Sequence, residues 1–324
     1  MLEAQTKPTP LGIMDSLNAG FGVAAQKLNL LLIPFMLDLF LWLGPRLSPS
    51  PIVSELTARF RAVAGEMPQD SAAFVEQNIA EIFGSYNLFS ALSTWPLGVP
   101  SLLAGSELGA NPLGTPPVIQ VHGLNALLVW LFSLALVGLL AGSFYMGLIA
   151  RWVGKSRASL RTWLKRTWLH WARIVAFVLV VLLCSFFLSV PLFLLAEVAA
   201  IIFPPLATLV LLIGVGAGMW GVFHLFFTVH GILLDDMKPL PAMRHSTRLV
   251  CQHRASSVGL VLITVVISLG LSTIWHMPPP DSWLRLTAIA GNAFVNTGLT
   301  AATFVYYRER TSDLLEDKTP RSQE

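Results

Sequence analysis

Charge is scarce in this chain. Of its 324 residues only 12% are Asp, Glu, Lys or Arg, where a soluble domain carries roughly a quarter. Hydrophobic residues make up 54% and the mean hydropathy is +0.67, so lipid rather than water is the expected solvent. Cysteine is nearly absent. The two present, Cys184 in an apolar run and Cys251 in a basic loop, are too few for a disulfide framework, and their settings argue against a pair. Metal-binding spacings such as H-E-x-x-H and C-x-x-C are missing, as is any Ser-His-Asp constellation or phosphate-cradling loop outside the apolar runs. The sequence therefore gives no reason to expect a catalytic residue, a resident metal or a cofactor.

What the chain has instead is six apolar runs, at about 28–45, 124–150, 173–201, 205–234, 256–276 and 286–307. Each approaches the roughly 20 residues that a helix needs to cross a bilayer. The first contains Asp38, follows 27 residues and has no A-x-A site after it, so it reads as a retained helix and not as a cleaved signal. With the N-terminus inside and all six runs crossing, seventeen Lys and Arg fall inside, against Arg46, Arg59, Arg61 and Arg285 outside. That bias is the positive-inside pattern. The expected fold is an all-α integral membrane bundle with six transmembrane helices, N-in and C-in, in a cytoplasmic (plasma) membrane. Its divisions are a cytoplasmic N-terminus and interfacial helix (1–27), a first span (28–45), an extracytoplasmic loop (46–122), a five-helix remainder (123–308) and a polar tail (309–324).

The stretch "RWVGKSRASLRTWLKRTWLHWAR" carries seven Lys or Arg, four Trp and no acid. Taken alone, basic residues interleaved with aromatics suggest nucleic acid. Between two apolar runs they suggest something else. Leu160, Trp163, Leu164, Thr167, Trp168 and Trp171 recur on one helical face, opposite Arg161, Lys165, Arg166 and His170. Such a helix is expected to lie in the membrane interface, with Trp163, Trp168 and Trp171 as anchors. Arg157, Arg161, Lys165 and Arg166 would meet anionic lipid, joined by Arg244 and Arg248 from a second basic segment. Membrane lipid is the expected partner, and nucleic acid is not.

The same design recurs. "SLNAGFGVAAQKLNLLLIP", "SLRTWLKRTWLHWARIVAF" and "PAMRHSTRLVCQHRASSVG" each set an amphipathic segment before an apolar run. In the first copy the stripe is Ile13, Met14, Leu17, Phe21 and Ala24. In the third it is Ala242, Met243, Ser246 and Val250, opposed by Arg244, His245 and Arg248. Three units are expected, each an interfacial helix and a two-helix hairpin. The segment "AMRHSTRLV" after "GILLDDMKPL", leading into another span, resembles a family of bacterial multi-pass proteins that includes the membrane domain attached to some glycerophosphodiester phosphodiesterases. The resemblance covers roughly residues 140–310. It implies a polytopic membrane module. The phosphodiesterase activity is not implied, because the chain has no room for the catalytic barrel and lacks its acidic and histidine motifs.

Residues 46–122 are the one sizeable segment outside the apolar runs. Ile52, Leu56, Phe60 and Val63 mark one amphipathic helix, and Val75, Ile79, Ile82, Phe83 and Tyr86 a second. "WPLGVPSLLAGSELGANPLGTPP" is too rich in Pro and Gly for a long helix. The segment is expected to cap the bundle or dock a protein partner.

Polar residues inside apolar runs are the remaining candidates. Asp38 needs a partner, since a carboxylate in a spanning helix costs about 2.5–3.5 kcal/mol. Asn292, Asn296 and Thr300 share one face of the sixth run. Asp38 and Asn292 both lie about 10 Å below the outer ends, so they meet if the first and last helices are neighbours. The set is either a proton- or solute-responsive site or a packing device. "GVGAGMWG" contains G-x-G-x-x-G at Gly216, Gly218 and Gly221 inside an apolar run. These glycines, like Gly138 and Gly142, read as close helix contacts and not as a dinucleotide fingerprint. His224, His230, Asp235, Asp236, His245, Cys251 and His253 gather along the sequence, but lack a ligand spacing. Three functions follow in order: a non-catalytic accessory, scaffold or lipid-organising module; a small-solute or ion transporter around Asp38, Asn292 and Asn296; and an intramembrane metalloenzyme near 224–236.

Overall fold

The computed structural model describes residues 11–63, 86–94, 96–105, 109–154 and 159–316. The second amphipathic helix expected in the 46–122 loop falls mostly outside these residues, as does Arg157. The chain is mostly helical: α1 (Ile13–Gln26), α2 (Leu32–Leu43), α3 (Ser50–Val63), α4 (Leu124–Val153), α5 (Leu160–Ile202), α6 (Pro204–His224), α7 (Thr228–Leu234), α8 (Pro239–Gln252), α9 (Arg254–Trp275) and α10 (Leu284–Glu316). Among the described residues, four helical stretches are long and apolar enough to cross a membrane: Leu124–Val153, Arg161–Ile202, Pro204–Leu234 and Arg254–Trp275. A fifth appears if α1 and the following Leu28–Leu43, which meet at 89°, count as one span. Helix α10, expected as the sixth span, does not reach that mark. It carries Asn292, Asn296 and a series of threonines, and much of its length is buried against protein.

Two compact units divide the chain, residues 17–149 with 263–302, and residues 1–16 with 150–262 and 303–324. In the first of these, Lys27 leaves helical geometry (φ −127°, ψ 63°) and turns the chain from α1 into α2. Pro34 sits in the first turn of α2, where a missing N–H costs nothing. The buried face of α1 is Leu17, Gly20 and Ala24, while Met14, expected on that face, is 69% exposed. Gly20 makes the difference. A Cβ there would come within 2.6 Å of the Ala302 backbone on α10, so the helices touch because this position has no side chain.

The 46–122 loop is closed at its base by two short parallel strands, β1 (Arg46–Ser48) and β2 (Val118–Gln120), with Leu47 opposite Ile119. Neither strand was expected. Helix α3 follows β1 where the Ile52–Val63 periodicity places it. Asn87 then accepts hydrogen bonds from the N–H of Leu47 (3.0 Å) and of Phe89 (3.2 Å), tying the returning chain to β1. Leu47, Leu88, Val121 and Leu134 form a core beneath it. Gly138 and Gly142 of α4 serve this loop and not a neighbouring helix, which corrects the expectation. A Cβ on Gly138 would meet the Leu92 carbonyl oxygen at 2.6 Å, and one on Gly142 the Leu97 carbonyl oxygen at 2.9 Å.

The three copies of the amphipathic design diverge, and the second and third lie in the other unit. The middle copy is not a separate interfacial helix. No Gly or Pro interrupts 160–190, so the basic segment and the span fuse into the 43-residue α5, about 64 Å long at about 1.5 Å per residue. The third copy is a separate helix, α8, broken from α9 at His253. The Phe203-Pro204-Pro205 turn ends α5, since proline cannot continue a helix but can start α6. The α5–α6 hairpin buries none of its most apolar windows against the rest of the chain. Gly216, Gly218 and Gly221 meet nothing within 4 Å. The close helix contact expected of them is absent among the described residues; only Gly214 approaches a neighbour, Leu192.

The expected 205–234 span is interrupted at Leu225–Phe227, and α7 beyond the break is buried from Thr228 to Leu233. Ser246 of α8 splices the break: its Oγ accepts from the Phe227 N–H (3.1 Å) and donates to the His224 carbonyl (2.7 Å). Phe227, Leu249, Val250, Leu260, Tyr306 and Tyr307 pack around it. Ser246→Ala leaves both backbone groups unpaired in a buried site and should destabilise this unit by about 1–3 kcal/mol. Thermal unfolding in detergent would register the loss; an unchanged melting temperature would mean the splice contributes nothing.

Candidate functional site: a buried carboxylate and its relay

Asp38 has no solvent exposure. It sits in α2, and its partners come from the 46–122 loop. Ser101 Oγ donates to Asp38 Oδ1. The Leu102 N–H donates to Oδ2 at 2.9 Å, and the Leu103 N–H to Oδ1 at 3.2 Å. Ser101 Oγ accepts in turn from the Leu103 (3.2 Å) and Ala104 (3.0 Å) N–H groups. One carboxylate and one hydroxyl thus satisfy a turn of backbone that makes no helix or sheet. Leu102 and Leu103 then pack with Leu41, Trp42, Ala288 and Ile289.

On its other side Asp38 meets α10. The Asn292 side chain lies beside the carboxylate, although its Nδ2 makes no hydrogen bond of good geometry. Asn296 Nδ2 donates to Asn292 Oδ1 at 2.8 Å, and Ser268 Oγ of α9 donates to Asn296 Oδ1 at 2.9 Å. Ser101, Asp38, Asn292, Asn296 and Ser268 therefore form a polar relay joining the loop, α2, α10 and α9. Thr300 is adjacent but turned inward on its own helix, donating to the Asn296 carbonyl at 2.8 Å. Tyr145 of α4, fully buried, donates to Thr297 at 3.0 Å. Arg285 is the nearby cation. It is 4% exposed and donates to the Pro278 carbonyl at 2.9 Å, and the Asp38 charge acts on it through space without a direct ion pair.

The relay links Asp38 and Asn292, which the sequence placed at one depth. Ser101 and Ser268 have no sequence signal pointing to Asp38. Chemically the arrangement is a carboxylate acceptor with two donors on Oδ1 and one on Oδ2. Its oxygens are taken by groups of the protein itself. A groove lined by Phe35, Trp283, Leu284 and Leu286 opens nearby, and Asp38 does not line it.

The basic segment is three-sided. Trp163, Thr167, His170, Ile174 and Phe177 of α5 are buried, so His170 lies on the protein face and not with the cations. Trp163 lies under the Arg151 guanidinium, 6.0 Å from its centroid, and is not free to anchor in headgroups. Trp168 is 60% exposed and stacks edge-on with the half-buried Trp171 at 5.5 Å. Arg161, Lys165 and Arg166 are exposed, as are Arg244 and Arg248 on α8. The apolar face is thus split: part packs on protein, and the part bearing Leu164 and Trp168 faces outward.

Beside this face, Arg173 Nη1 donates to the Asp236 carbonyl (2.7 Å) and to Asp236 Oδ1, and His170 Nε2 lies 3.2 Å from that oxygen. Asp236 is held at φ +54° in the turn between α7 and α8, a conformation that aspartate tolerates better than most residues. Among the described residues no three His, Cys, Asp or Glu side chains converge as a metal site. His230 is buried among aromatics with Nε2 2.8 Å from Thr303 Oγ1, and Asp235 accepts from the Tyr307 hydroxyl at 2.7 Å. His224 lies against the Trp220 carbonyl, and both cysteines are exposed and free.

Partial burial pushes the Asp236 carboxyl up, but Arg173 and His170 outweigh it and hold it below its ordinary 3.8. A depressed carboxyl pKa stabilises the fold above the unfolded value, and the contribution fades as pH falls through the folded one. The difference in melting temperature between the natural chain and Asp236→Asn should therefore shrink as pH falls below 3.8. A difference that persisted undiminished below that pH would contradict the bridge. No family model matches the chain, and comparison with curated proteins and with solved structures finds none that is similar.

Proposed function

We propose that this protein is a non-catalytic module of the bacterial cytoplasmic membrane, an accessory, scaffold or lipid-organising subunit with six spans and both termini inside. One observation carries the reading. The α5–α6 hairpin turns its apolar length outward, unburied by its own chain, while the basic residues before it point outward as well. Polar groups inside the structure are by contrast largely engaged with one another. Surfaces arranged in this way interact with what surrounds the protein. Arg161, Lys165 and Arg166, with Arg244 and Arg248, suit anionic headgroups, each cation contributing about 1 kcal/mol near such a surface. The resemblance to the membrane domain of glycerophosphodiester phosphodiesterases fits a module of this kind. The 46–122 segment would cap the outer side or dock a protein partner.

A second reading has its own support. The relay from Asp38 through Asn292 and Asn296 to Ser268 is more polar than packing requires, and a small-solute or ion transporter would place its path there.

Native mass spectrometry of protein extracted in mild detergent tests both readings. The leading one expects anionic lipid to be retained, and retention to fall when Arg161, Lys165 and Arg166 are all replaced by Glu. Equal retention by the substituted protein would contradict it. A defined small solute carried through purification, lost in Asp38→Asn, would move the transporter ahead.

A further inference from the structure

We propose that residues 98–104 form a re-entrant plug, seated at membrane depth on the Asn292–Asn296–Ser268 relay, with Asp38 as its latch. The inference rests on the six-span topology, with 46–122 outside, and concerns a movement that the proposed function does not include.

Depth comes first. Asp38 lies six residues before Gly44, where α2 ends, or about 9 Å down the helix at about 1.5 Å per residue. Groups that bond its carboxylate must descend to it. The descending segment is bends and turns without regular structure. Irregular backbone at such a depth is tolerated only inside protein, with every polar group satisfied. The segment lies inside protein, and four of its backbone polar groups have partners. Val99, Leu102 and Leu103 are 1%, 4% and 0% exposed. The N–H groups of Leu102, Leu103 and Ala104 go to Asp38 and Ser101, and the Val99 carbonyl accepts from Ser93 Oγ at 2.7 Å.

Helix α4 is cut to receive the loop that leads into this segment, and Gly98 at its start. At Gly142 of α4 any Cβ would strike the Leu97 carbonyl oxygen at 2.9 Å and the Gly98 carbonyl carbon at 3.1 Å. At Gly138 it would strike the Leu92 and Ala91 carbonyl oxygens, at 2.6 and 3.0 Å. Glycines in an apolar helix that accept a loop instead of another helix indicate a seat.

The way the segment is held indicates that it can leave. Among the described residues three hydrogen bonds are seen from 98–104 to α2, all of them to Asp38, beside the packing of Leu102 and Leu103 on Leu41 and Trp42. No sheet or helix has to be undone. Beside the Asp38 carboxylate is Asn292, with a buried Nδ2 that makes no hydrogen bond of good geometry, bonded in turn to Asn296 and through it to Ser268. Withdrawal would open these groups to the outer side.

Cysteine accessibility tests the plug. Cys184 and Cys251 are first replaced by serine, and single cysteines are placed at Leu113, Leu103 and Asn296. Intact cells are then treated with a membrane-impermeant maleimide. Leu113→Cys, 71% exposed in the natural chain, should label quickly, and Leu103→Cys and Asn296→Cys should not. Adding Ser101→Ala or Asp38→Asn should raise the labelling rate at Asn296→Cys by on the order of tenfold, as the loss of a charged hydrogen bond implies. If Leu103→Cys labels as fast as Leu113→Cys, the segment is an external cap and the proposal fails. It also fails if neither latch substitution changes labelling at Asn296→Cys. Should Asp38→Asn not fold, as judged by size-exclusion chromatography, Ser101→Ala decides alone. Labelling of Leu113→Cys only in inverted vesicles would overturn the topology and not the plug, whose contrast is then read from that face.

Discussion

A carboxylate without solvent must be given hydrogen bonds by the protein, and one of the two units of this fold is arranged around that requirement at Asp38. Its two oxygens accept from Ser101, Leu102 and Leu103. The constraint works in both directions. The carboxylate would be costly in α2 without those donors, and the 101–104 backbone would be costly where it lies without the carboxylate. Each makes the other tolerable, which is why an acid in an apolar helix and a Pro/Gly-rich loop some sixty residues later act as one structural element. The glycines of α4 and the β1–β2 pair follow from the same need, since they bring the loop back over α2 and let it approach.

Polar groups elsewhere follow a matching division. Helix α10 turns its asparagines, threonines and tyrosines into the protein, and in each unit they find partners there: Ser268 and Tyr145 in one, His230, Asp235 and Ser256 in the other. The α5–α6 hairpin does the reverse, exposing Leu, Val, Phe and Ile along its length. In lipid the hydrophobic effect does not drive helices together, so polar contacts and close packing must hold a bundle. Helix α10 is rich in the first, while the most apolar stretches of the hairpin are unburied by the chain.

Much of this was legible in the sequence. The apolar runs gave most of the long helices, because a run of this length has one solution in lipid. The expectation that Asp38 needs a partner came from cost alone, and the equal depth of Asn292 from counting residues. What escaped has identifiable causes. Hydropathy cannot distinguish a helix face turned to lipid from one turned to protein, so Trp163 was read as a lipid anchor. The fusion of the basic segment into α5 was hidden because an amphipathic helix and an apolar one share a backbone, and nothing between 160 and 190 breaks it. Glycines at 138 and 142 look the same in sequence whether they admit a helix or a loop. The break at Leu225–Phe227 has no Gly or Pro to announce it and depends on Ser246, a hydroxyl about twenty residues away. Ser101 was equally invisible, for its partner lies in another element.

The claim on which the rest depends is that Asp38 holds the 101–103 backbone in a dry interior. Hydrogen exchange on the protein in lipid nanodiscs, resolved to the Leu102 and Leu103 amides, measures this directly. Slow exchange is expected at both, well below the rate of the exposed turn around Leu113, with a marked acceleration in Asp38→Ala that spares the α7–α8 amides. Fast exchange at Leu102 and Leu103 in the natural chain, or protection that survives removal of the carboxylate, would contradict it.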